Sequence, residues 1–258
     1  MKSHLTLLLT LINLITPSHP LSFHSLPPLN NPSLSWITSP DSLSVHDSLT
    51  KTTTSLSYPS LPSLLSSPPT SRSLIQACLP PSLPSHNVLD LTFGFGSDSL
   101  ILLSSSTPQK PVTVHGTERD PRVFALASEA LARSPGLSSV LTLSLVDVLS
   151  CPTVDFVLGS EYTVVYIDVM FTSGKKNRAK AKGHMELLRT LHGTKVQTEE
   201  WKVNAEREAK ELLMFGLRIA RDRVVCKRPK GAPPVGGMKP SFVVGKKGAN
   251  IRYDVYVT

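Results

Sequence analysis

Cysteine is scarce in this sequence, and what the chain lacks weighs against several classes of protein. The three cysteines in 258 residues are widely spaced and form no C-x-x-C pair. That argues against a disulfide framework or a zinc site and predicts buried, reduced thiols. The histidines show no metal-ligand spacing, so no metal is expected. No stretch approaches the roughly 18 apolar residues that a membrane-spanning helix needs, so we expect no stable membrane insertion.

Charge is almost missing from the first third of the chain. Of 27 basic and 19 acidic residues, three and two respectively precede residue 87, so residues 87–258 carry +7 of the net charge of +8. A basic surface of that kind favours polyanionic partners. The first third is rich in serine, leucine and proline, and its prolines recur too often for helices or central strands. We therefore predict a low-complexity extension at 1–70, disordered over about 20–70.

The first 23 residues have the pattern of a targeting segment. Lys2 precedes an apolar run at 5–15 that is interrupted by threonine and asparagine, and Pro17 follows. The run suits the core of a signal peptide, and the acid-poor, serine-rich stretch behind it is similar to a transit peptide without the usual arginines. A two-part leader predicts import into an organelle, a plastid or a mitochondrion. The alternative is an unstructured N-terminus on a cytoplasmic protein.

The folded part is predicted to be organised around residues 88–98. A short apolar run ends in Asp90, a turn with Gly94 and Gly96 follows, and polar residues then precede a second apolar run. This pattern predicts a buried strand, a glycine turn and the start of a helix. Glycines allow a positive φ and let a ligand approach the main chain, and the free N–H groups of the new helix face that ligand.

Strands and helices alternate after this turn, which predicts an α/β domain at 71–258 with a mostly parallel sheet. Helices are expected at 71–78, at 120–136 with Asp120 as N-cap, at 186–191 and at 201–219. Strands are expected at 88–90, 111–118, 140–146, 162–168, 223–226, 241–244 and 252–257, and the last two form an antiparallel hairpin. The turn at 245–250 also mimics the G-x-x-G loop of a KH module, but a strand rather than a helix follows it.

Four consecutive strands end in an acid, namely Asp90, Glu118, Asp147 and Asp168. Ligands bind beyond the carboxyl ends of parallel strands, so these acids indicate a site at that edge. Glu118 lies about 20 residues after the glycine turn, the distance at which an acid holds ribose hydroxyls. A nicotinamide-dependent oxidoreductase is one interpretation, but no proton donor is convincingly placed. The terminal hairpin instead favours the Rossmann-like class I fold of methyltransferases that use S-adenosylmethionine (SAM).

Four motifs make the resemblance to one family specific. They are Asp90-Leu-Thr-Phe-Gly-Phe-Gly-Ser-Asp98, Glu118-Arg-Asp-Pro-Arg122, Tyr166-Ile-Asp-Val-Met-Phe171 and Lys227-Arg-Pro-Lys-Gly-Ala-Pro-Pro234. Over 71–258 the chain resembles the bacterial 16S ribosomal RNA guanine-N2 methyltransferases of the small-subunit group J type. Nothing in 1–70 shares the resemblance, so the small N-terminal lobe of that family is expected to be absent or replaced.

The resemblance implies SAM-dependent methylation of a guanine N2 in small-subunit ribosomal RNA, with the RNA or the ribosomal subunit as partner. We expect a monomer. Glu118 would hold the ribose hydroxyls, Asp147 would lie near the adenine, and Asp90 would pass beside the methionine end together with the turn at 94–96. The other cofactor contacts implied by the family fall on Ser97, Asp98, Arg119, Val146 and Asp168.

Asp168 and Phe171 are the predicted catalytic residues. The lone pair of a guanine amine is delocalised into the ring, so the site must orient the amine and accept its hydrogens, which Asp168 can do. Phe171 is expected either to stack on the extruded base or to fill the core. Basic residues that follow strands are predicted to contact RNA phosphates: Lys175, Lys176, Arg178, Lys180, Lys227 and Arg228, with Lys230, Lys246 and Lys247 as further candidates.

Two departures from the family pattern keep an alternative function open. The family reads Asp-Pro-Met-Phe-Pro after the fourth strand, whereas this chain reads Asp168-Val-Met-Phe-Thr172. The loss of both prolines predicts a less rigid loop. In the first motif, Ser97 replaces the usual arginine. The alternative is therefore a catalytically weakened homologue that binds RNA.

Overall fold

The computed structural model describes residues 26–39, 42–49, 51–150, 161–169, 187–188, 190–191 and 199–258. The predicted leader at 1–23 lies outside these residues. The strands are β1 (Leu34–Ser39), β2 (Ser42–Asp47), β3 (Thr52–Ser55), β4 (His86–Asp90), β5 (Val112–Glu118), β6 (Leu141–Leu145), β7 (Val164–Ile167), β8 (Arg223–Pro229), β9 (Phe242–Val244) and β10 (Ile251–Val257). The helices are α1 (Leu61–Ser66), α2 (Arg72–Cys78), α3 (Ser97–Leu103), α4 (Pro121–Ala132) and α5 (Glu199–Ile219).

The main sheet has the strand order β6-β5-β4-β7-β8-β10-β9. Neighbouring strands from β6 to β8 are parallel, and β10 runs antiparallel to both β8 and β9. This confirms the predicted Rossmann-like α/β fold with its C-terminal hairpin, and it rules out a KH module at the turn. The chain moves outwards from β4 first in one direction and then in the other. At such a switch point, between β4 and β7, the strand ends leave a crevice for a ligand.

The central strands are apolar throughout because both faces of the sheet are covered. Successive residues of a strand point to opposite faces. Val88 packs with Leu102 of α3 on one side, whereas Leu89 packs with Leu213 of α5 on the other. Helices on both faces are what a parallel sheet requires, since neither face is then left in water.

Helix α4 begins as the sequence predicts. The Asp120 carboxylate caps it by accepting a hydrogen bond from the Arg122 N–H at 2.9 Å. Pro121 occupies the first position, where a missing N–H leaves no hydrogen bond unmade. Gly136 follows the helix with a φ of +74°, a conformation that glycine adopts without strain. These local signals set the direction in which the chain leaves β5.

The N-terminal segment differs from the predicted disorder over the part that the structure describes. Strands β1, β2 and β3 form a separate antiparallel sheet, and α1 follows. Leu34, Leu43 and Val45 pack in one cluster with Val123 and Leu126 of α4. The many prolines of this segment fall mostly between the elements, so each short strand is free of proline. Burial against α4 supplies the stabilisation that composition by itself does not reveal.

Gly116, in the middle of β5, provides a test of the packing beneath the crevice. A Cβ at this position would lie 2.3 Å from Cδ2 of Phe93 and 2.9 Å from Cδ2 of Leu143. We expect Gly116→Ala to lower the free energy of unfolding by about 1–3 kcal/mol, because the Phe93 ring must move within a packed core. Urea denaturation measures the loss. Gly231→Ala is the control, since its Cβ would meet nothing within 4 Å, and equal midpoints for the two variants would contradict the prediction.

Candidate active site

The crevice at the carboxyl ends of the parallel strands has a volume of about 470 Å³, within the range of small-molecule sites. It brings together the four predicted strand-end acids. The lining residues also include the glycine turn and one face of α5: Asp90, Leu91, Thr92, Phe93, Gly94, Phe95, Ser97, Asp98, Thr117, Glu118, Arg119, Val146, Asp147, Val148, Leu149, Tyr166, Asp168, Val169, Leu188, Trp201, Asn204, Ala205, Glu208, Leu212 and Lys227.

Glu118 joins the glycine turn to the start of α4. Its Oε2 accepts a hydrogen bond from the Gly94 N–H at 2.9 Å, and its Oε1 accepts one from the Asp120 N–H at 2.8 Å. Burial raises the pKa of Glu118, and these two N–H donors oppose that rise by stabilising the carboxylate. A carboxylate oxygen can accept two hydrogen bonds. The Arg119 N–H also stabilises this carboxylate, which still retains acceptor capacity for a hydroxyl group of a ligand in the crevice.

The glycine turn is held from below by Asp90 and Phe93. Gly94 and Gly96 have φ values of +56° and +68°. Asp90 is buried; it accepts from the Ser99 hydroxyl at 2.6 Å and from the Thr92 N–H at 3.0 Å. Burial raises the pKa of Asp90 to about 7, despite these two donors. A Cβ on Gly96 would lie 2.4 Å from Cζ of Phe93, so the ring can pack there because residue 96 has no side chain.

Asp168 belongs to a charged cluster at the point where β7 ends beside β8. The Lys227 ammonium lies 2.8 Å from Oδ2 of Asp168 and 2.7 Å from Oδ2 of Asp98. The Tyr166 hydroxyl donates to the same Asp98 oxygen at 2.5 Å. The backbone N–H of Asp168 donates to Oγ1 of Thr92 at 2.7 Å. This acid is thus fixed through its main chain and through one carboxylate oxygen.

The family's first proline after this acid is Val169 in this chain, and the structure shows what the valine does. Its side chain is buried, with 7% exposed, and it packs in the cluster that also contains Leu91 and Val148. The backbone at Asp168 is therefore held by apolar packing and by the hydrogen bond to Thr92. Residues 170–186, which include Phe171, lie outside the described residues.

The remaining predicted cofactor contacts also line the crevice. Arg119 pairs with Glu208 of α5 at 2.9 Å and is half exposed at the rim. The Asp147 carboxylate accepts from the Leu149 N–H at 3.1 Å and from the Ser150 hydroxyl at 2.9 Å. Val146 and Ser97 contribute to the walls. No metal-binding group of three or more His, Cys, Asp or Glu side chains is found among the described residues.

Lys227 and Arg228, two of the basic residues predicted to contact RNA, are not on the exposed surface. Lys227 points into the crevice rather than towards bulk solvent. Arg228 has no exposed side-chain surface, and it donates to Oε1 of Glu206 at 2.8 Å and to the Pro233 carbonyl at 2.7 Å. A guanidinium in that position does not support a contact with an RNA phosphate. Lys175, Lys176, Arg178 and Lys180 lie outside the described residues.

Sequence reasoning missed the contribution of α5 to the site. Trp201, Asn204, Ala205, Glu208 and Leu212 face the crevice from this helix. Their spacing of three or four residues marks one helical face. The signal in the sequence that could have revealed this is the presence of polar residues within an otherwise apolar stripe.

Two further predictions concern the described residues as a whole. Within them no helix is long and apolar enough to cross a membrane. Cys78 and Cys226 are buried free thiols, as predicted.

The fold and the crevice together define a Rossmann-like class I methyltransferase. A SAM-dependent methyltransferase from Neisseria gonorrhoeae has the same fold, with a TM-score of 0.62 and 21% identity, and the match covers 90% of this chain and 85% of that one. The family model described as "Putative SAM-dependent methyltransferase" matches residues 70–258. The chain belongs to this family.

Curated relatives show which members of this family the chain is similar to, and they confirm the resemblance predicted from the sequence. This chain is 36% identical over 177 residues to "Ribosomal RNA small subunit methyltransferase J" of Hahella chejuensis, covering 66% of this chain and 57% of that protein. It is 32% identical over 174 residues to the protein of the same name from Pseudomonas syringae pv. syringae, covering 66% and 58%. The matched part of the chain thus spans less than two thirds of the length of either relative.

Proposed function

We propose that this chain uses SAM to methylate the exocyclic N2 of a guanine in small-subunit ribosomal RNA. The observation that carries the proposal is the pairing of two acids across one crevice. Glu118 is held by the backbone N–H groups of the glycine turn and of the start of α4. Asp168, after β7, is held by Lys227 of β8 and by Thr92, which follows β4. The names of the relatives support the ribosomal RNA substrate.

The residues of the crevice fit SAM. The free acceptor capacity of Glu118 suits ribose hydroxyls. Asp147 and the apolar Val146 lie at the next strand end, which suits the adenine. Asp98 supplies negative charge for the cationic methionine end, and the glycine turn next to Asp90 allows a close main-chain approach. When bound, SAM supplies an electrophilic methyl group.

Asp168 would act on the base. An ionised carboxylate accepts hydrogen bonds from an amine, orients it and takes up the proton released as the N–C bond forms. No protein nucleophile is needed, because the acceleration can come from orientation and electrostatics. A guanine within an RNA helix would have to leave its stack to reach this acid.

The alternative of a weakened RNA-binding homologue is less well supported. It depended on the missing prolines after Asp168 and on Ser97. Val169 and Thr92 hold the backbone of Asp168 by other means, so the loss of the first proline leaves the acid anchored. We therefore favour the active enzyme.

The C-terminal turn supports an RNA contact beside the crevice. Ile251 pairs with Pro229 at the carboxyl end of β8, and the Lys230 N–H donates to the Asn250 carbonyl at 2.9 Å. The turn at 245–250 therefore lies at the same edge as the crevice. Its strands β10 and β9 are two and three strand spacings from β7, which is about 10–15 Å across the sheet at about 4.8 Å per strand. Exposed lysines of this edge, called here the lysine edge, are Lys230, Lys246 and Lys247.

Methyl transfer is the direct test of the proposed function. Purified protein would be incubated with SAM labelled in its methyl group and with unmodified small-subunit RNA or subunits, and nuclease digestion would locate the label. We expect N2-methylguanine, and we expect SAM to bind in a calorimetric titration. Absence of SAM binding at millimolar concentration would contradict the whole proposal. Binding without transfer to either substrate would favour the weakened homologue.

The lysine edge predicts a separable effect on RNA affinity. We expect Lys246→Glu and Lys247→Glu each to weaken RNA binding about three- to tenfold and to reduce the salt dependence of binding by about one phosphate contact. SAM affinity should stay unchanged. Lys110→Glu is the matched control, because it carries the same charge change just before β5, at the opposite edge of the sheet. Equal losses for Lys110→Glu and the turn variants would show that net charge alone is responsible.

A further inference from the structure

The sheet register places Lys227 beside Asp168. Ile167 of β7 pairs with Cys226 of the parallel strand β8, so the next residue of each strand emerges at the same edge. The Lys227 ammonium lies within 2.8 Å of carboxylate oxygens from two different elements, Asp168 after β7 and Asp98 in α3. The three side chains are partly buried, with exposed fractions of 22% for Lys227, 35% for Asp168 and 19% for Asp98.

Negative charge would accumulate at this point without the ammonium. Asp90, Asp98 and Asp168 converge on one crevice. Like charges in a partly desolvated site favour protonation of one of them. Titratable groups on every element around the ammonium share this environment: Asp90 on β4, Asp98 on α3, Asp168 and Tyr166 on or after β7, Tyr253 on β10 and Cys78 on α2.

We propose that Lys227 is a positioning residue, which keeps Asp168 ionised and turned so that one carboxylate oxygen remains for the substrate amine. This inference rests on the proposed function. Lys227 engages Oδ2 of Asp168, and Oδ1 is then the oxygen available to an N–H of the base. A protonated Asp168 would carry a hydroxyl donor and would compete with the amine's own hydrogens rather than accept them.

The titration of the cluster agrees with this role. Burial raises the pKa of Asp168, the Lys227 ammonium lowers it, and Asp98 raises it again. Burial disfavours the ammonium of Lys227, but the Asp168 and Asp98 carboxylates outweigh it and raise the pKa of Lys227. The folded protein therefore keeps this lysine charged at neutral pH. Without the charge of Lys227, burial and the Asp98 carboxylate would both favour protonation of Asp168.

The test compares Lys227→Met with Lys227→Arg in the pH dependence of methyl transfer at saturating SAM and RNA. We expect Lys227→Met to lower the rate about tenfold at neutral pH and to move its acidic limb upwards by about 1–2 pH units, as for a carboxylate that loses a neighbouring cation. Lys227→Arg should keep the acidic limb near its wild-type position. Methylammonium added to Lys227→Ala should restore part of the rate. Lys110→Met is the control for removal of a lysine elsewhere.

A second readout does not depend on turnover. Carboxyl NMR of the free protein, with the Asp168 signal assigned by its loss in Asp168→Asn, measures the pKa of Asp168 directly. We expect that pKa to rise in Lys227→Met and to fall in Asp98→Asn, which frees the ammonium for Asp168. If Lys227→Met does not fold, Asp98→Asn still decides the question.

The outcomes separate this inference from the proposed function. An unchanged Asp168 pKa in the folded variants, or an unchanged acidic limb in Lys227→Met, would overturn the positioning role of Lys227. A wild-type protein that transfers no methyl group but shows the expected NMR shifts would leave the electrostatic coupling intact and overturn the assigned reaction.

Discussion

Asp168→Asn should lower the rate of methyl transfer to ribosomal RNA by about 10²–10³-fold, the loss typical of a group that accepts a proton in the transition state. The amide has almost the shape of the carboxylate, and Lys227 keeps its 2.7 Å contact with Asp98. The backbone bond from residue 168 to Thr92 also stays. The fold and the SAM affinity should therefore change little, and the loss should appear in kcat rather than in the KM for SAM.

Single-turnover assays with labelled SAM measure this effect, and a calorimetric titration measures the cofactor affinity in parallel. Asp222→Asn is the matched control, because Asp222 precedes β8 at the opposite edge of the sheet and pairs with Arg223 at 2.5 Å. A rate for Asp168→Asn within threefold of the wild type would show that another group receives the proton. A parallel loss of SAM affinity would instead assign Asp168 to cofactor binding.

Glu118→Gln should weaken SAM binding about 30- to 100-fold. In the native site the Gly94 and Asp120 N–H groups donate to the two carboxylate oxygens, at 2.9 and 2.8 Å. A glutamine carries a donor NH₂ in place of one oxygen, so one N–H of the turn or of the helix start then faces another donor. An unsatisfied buried donor costs about 1–3 kcal/mol of folding free energy. The same substitution removes half of the acceptor capacity for the ribose hydroxyls.

This loss should appear in the dissociation constant and in the KM for SAM, while kcat at saturating SAM should fall much less. Glu211→Gln, on the exposed face of α5, is the control for removal of a carboxylate. Circular dichroism of both variants separates a local effect from unfolding. An unchanged SAM affinity in folded Glu118→Gln would exclude Glu118 from the cofactor site and would require a different orientation of SAM in the crevice.

The sequence by itself determined the order of the elements and the acids at the strand ends. Strand β4, the glycine turn and the capped start of α4 rest on local rules, namely apolar runs, positive φ at glycine and the Asp120–Pro121 cap. Parallel strands align their carboxyl ends, so Asp90, Glu118, Asp147 and Asp168 had to meet at one edge once the strands were identified. The same local information was sufficient for the terminal hairpin.

Features that depend on contacts between residues distant in sequence were decided by the tertiary structure alone. The N-terminal strands form because Leu34, Leu43 and Val45 find an apolar partner in α4, and composition does not contain that partner. The face of α5 that lines the crevice is decided by packing against the sheet. The role of a charged residue also depends on its neighbours in the fold. The sequence suggested that Lys227 contacts RNA, but it lies between two carboxylates because β8 is adjacent to β7. The register between β7 and β8 pairs residues that are distant in sequence, so it cannot be read from local patterns. That register is the physical reason why Lys227 lies beside Asp168.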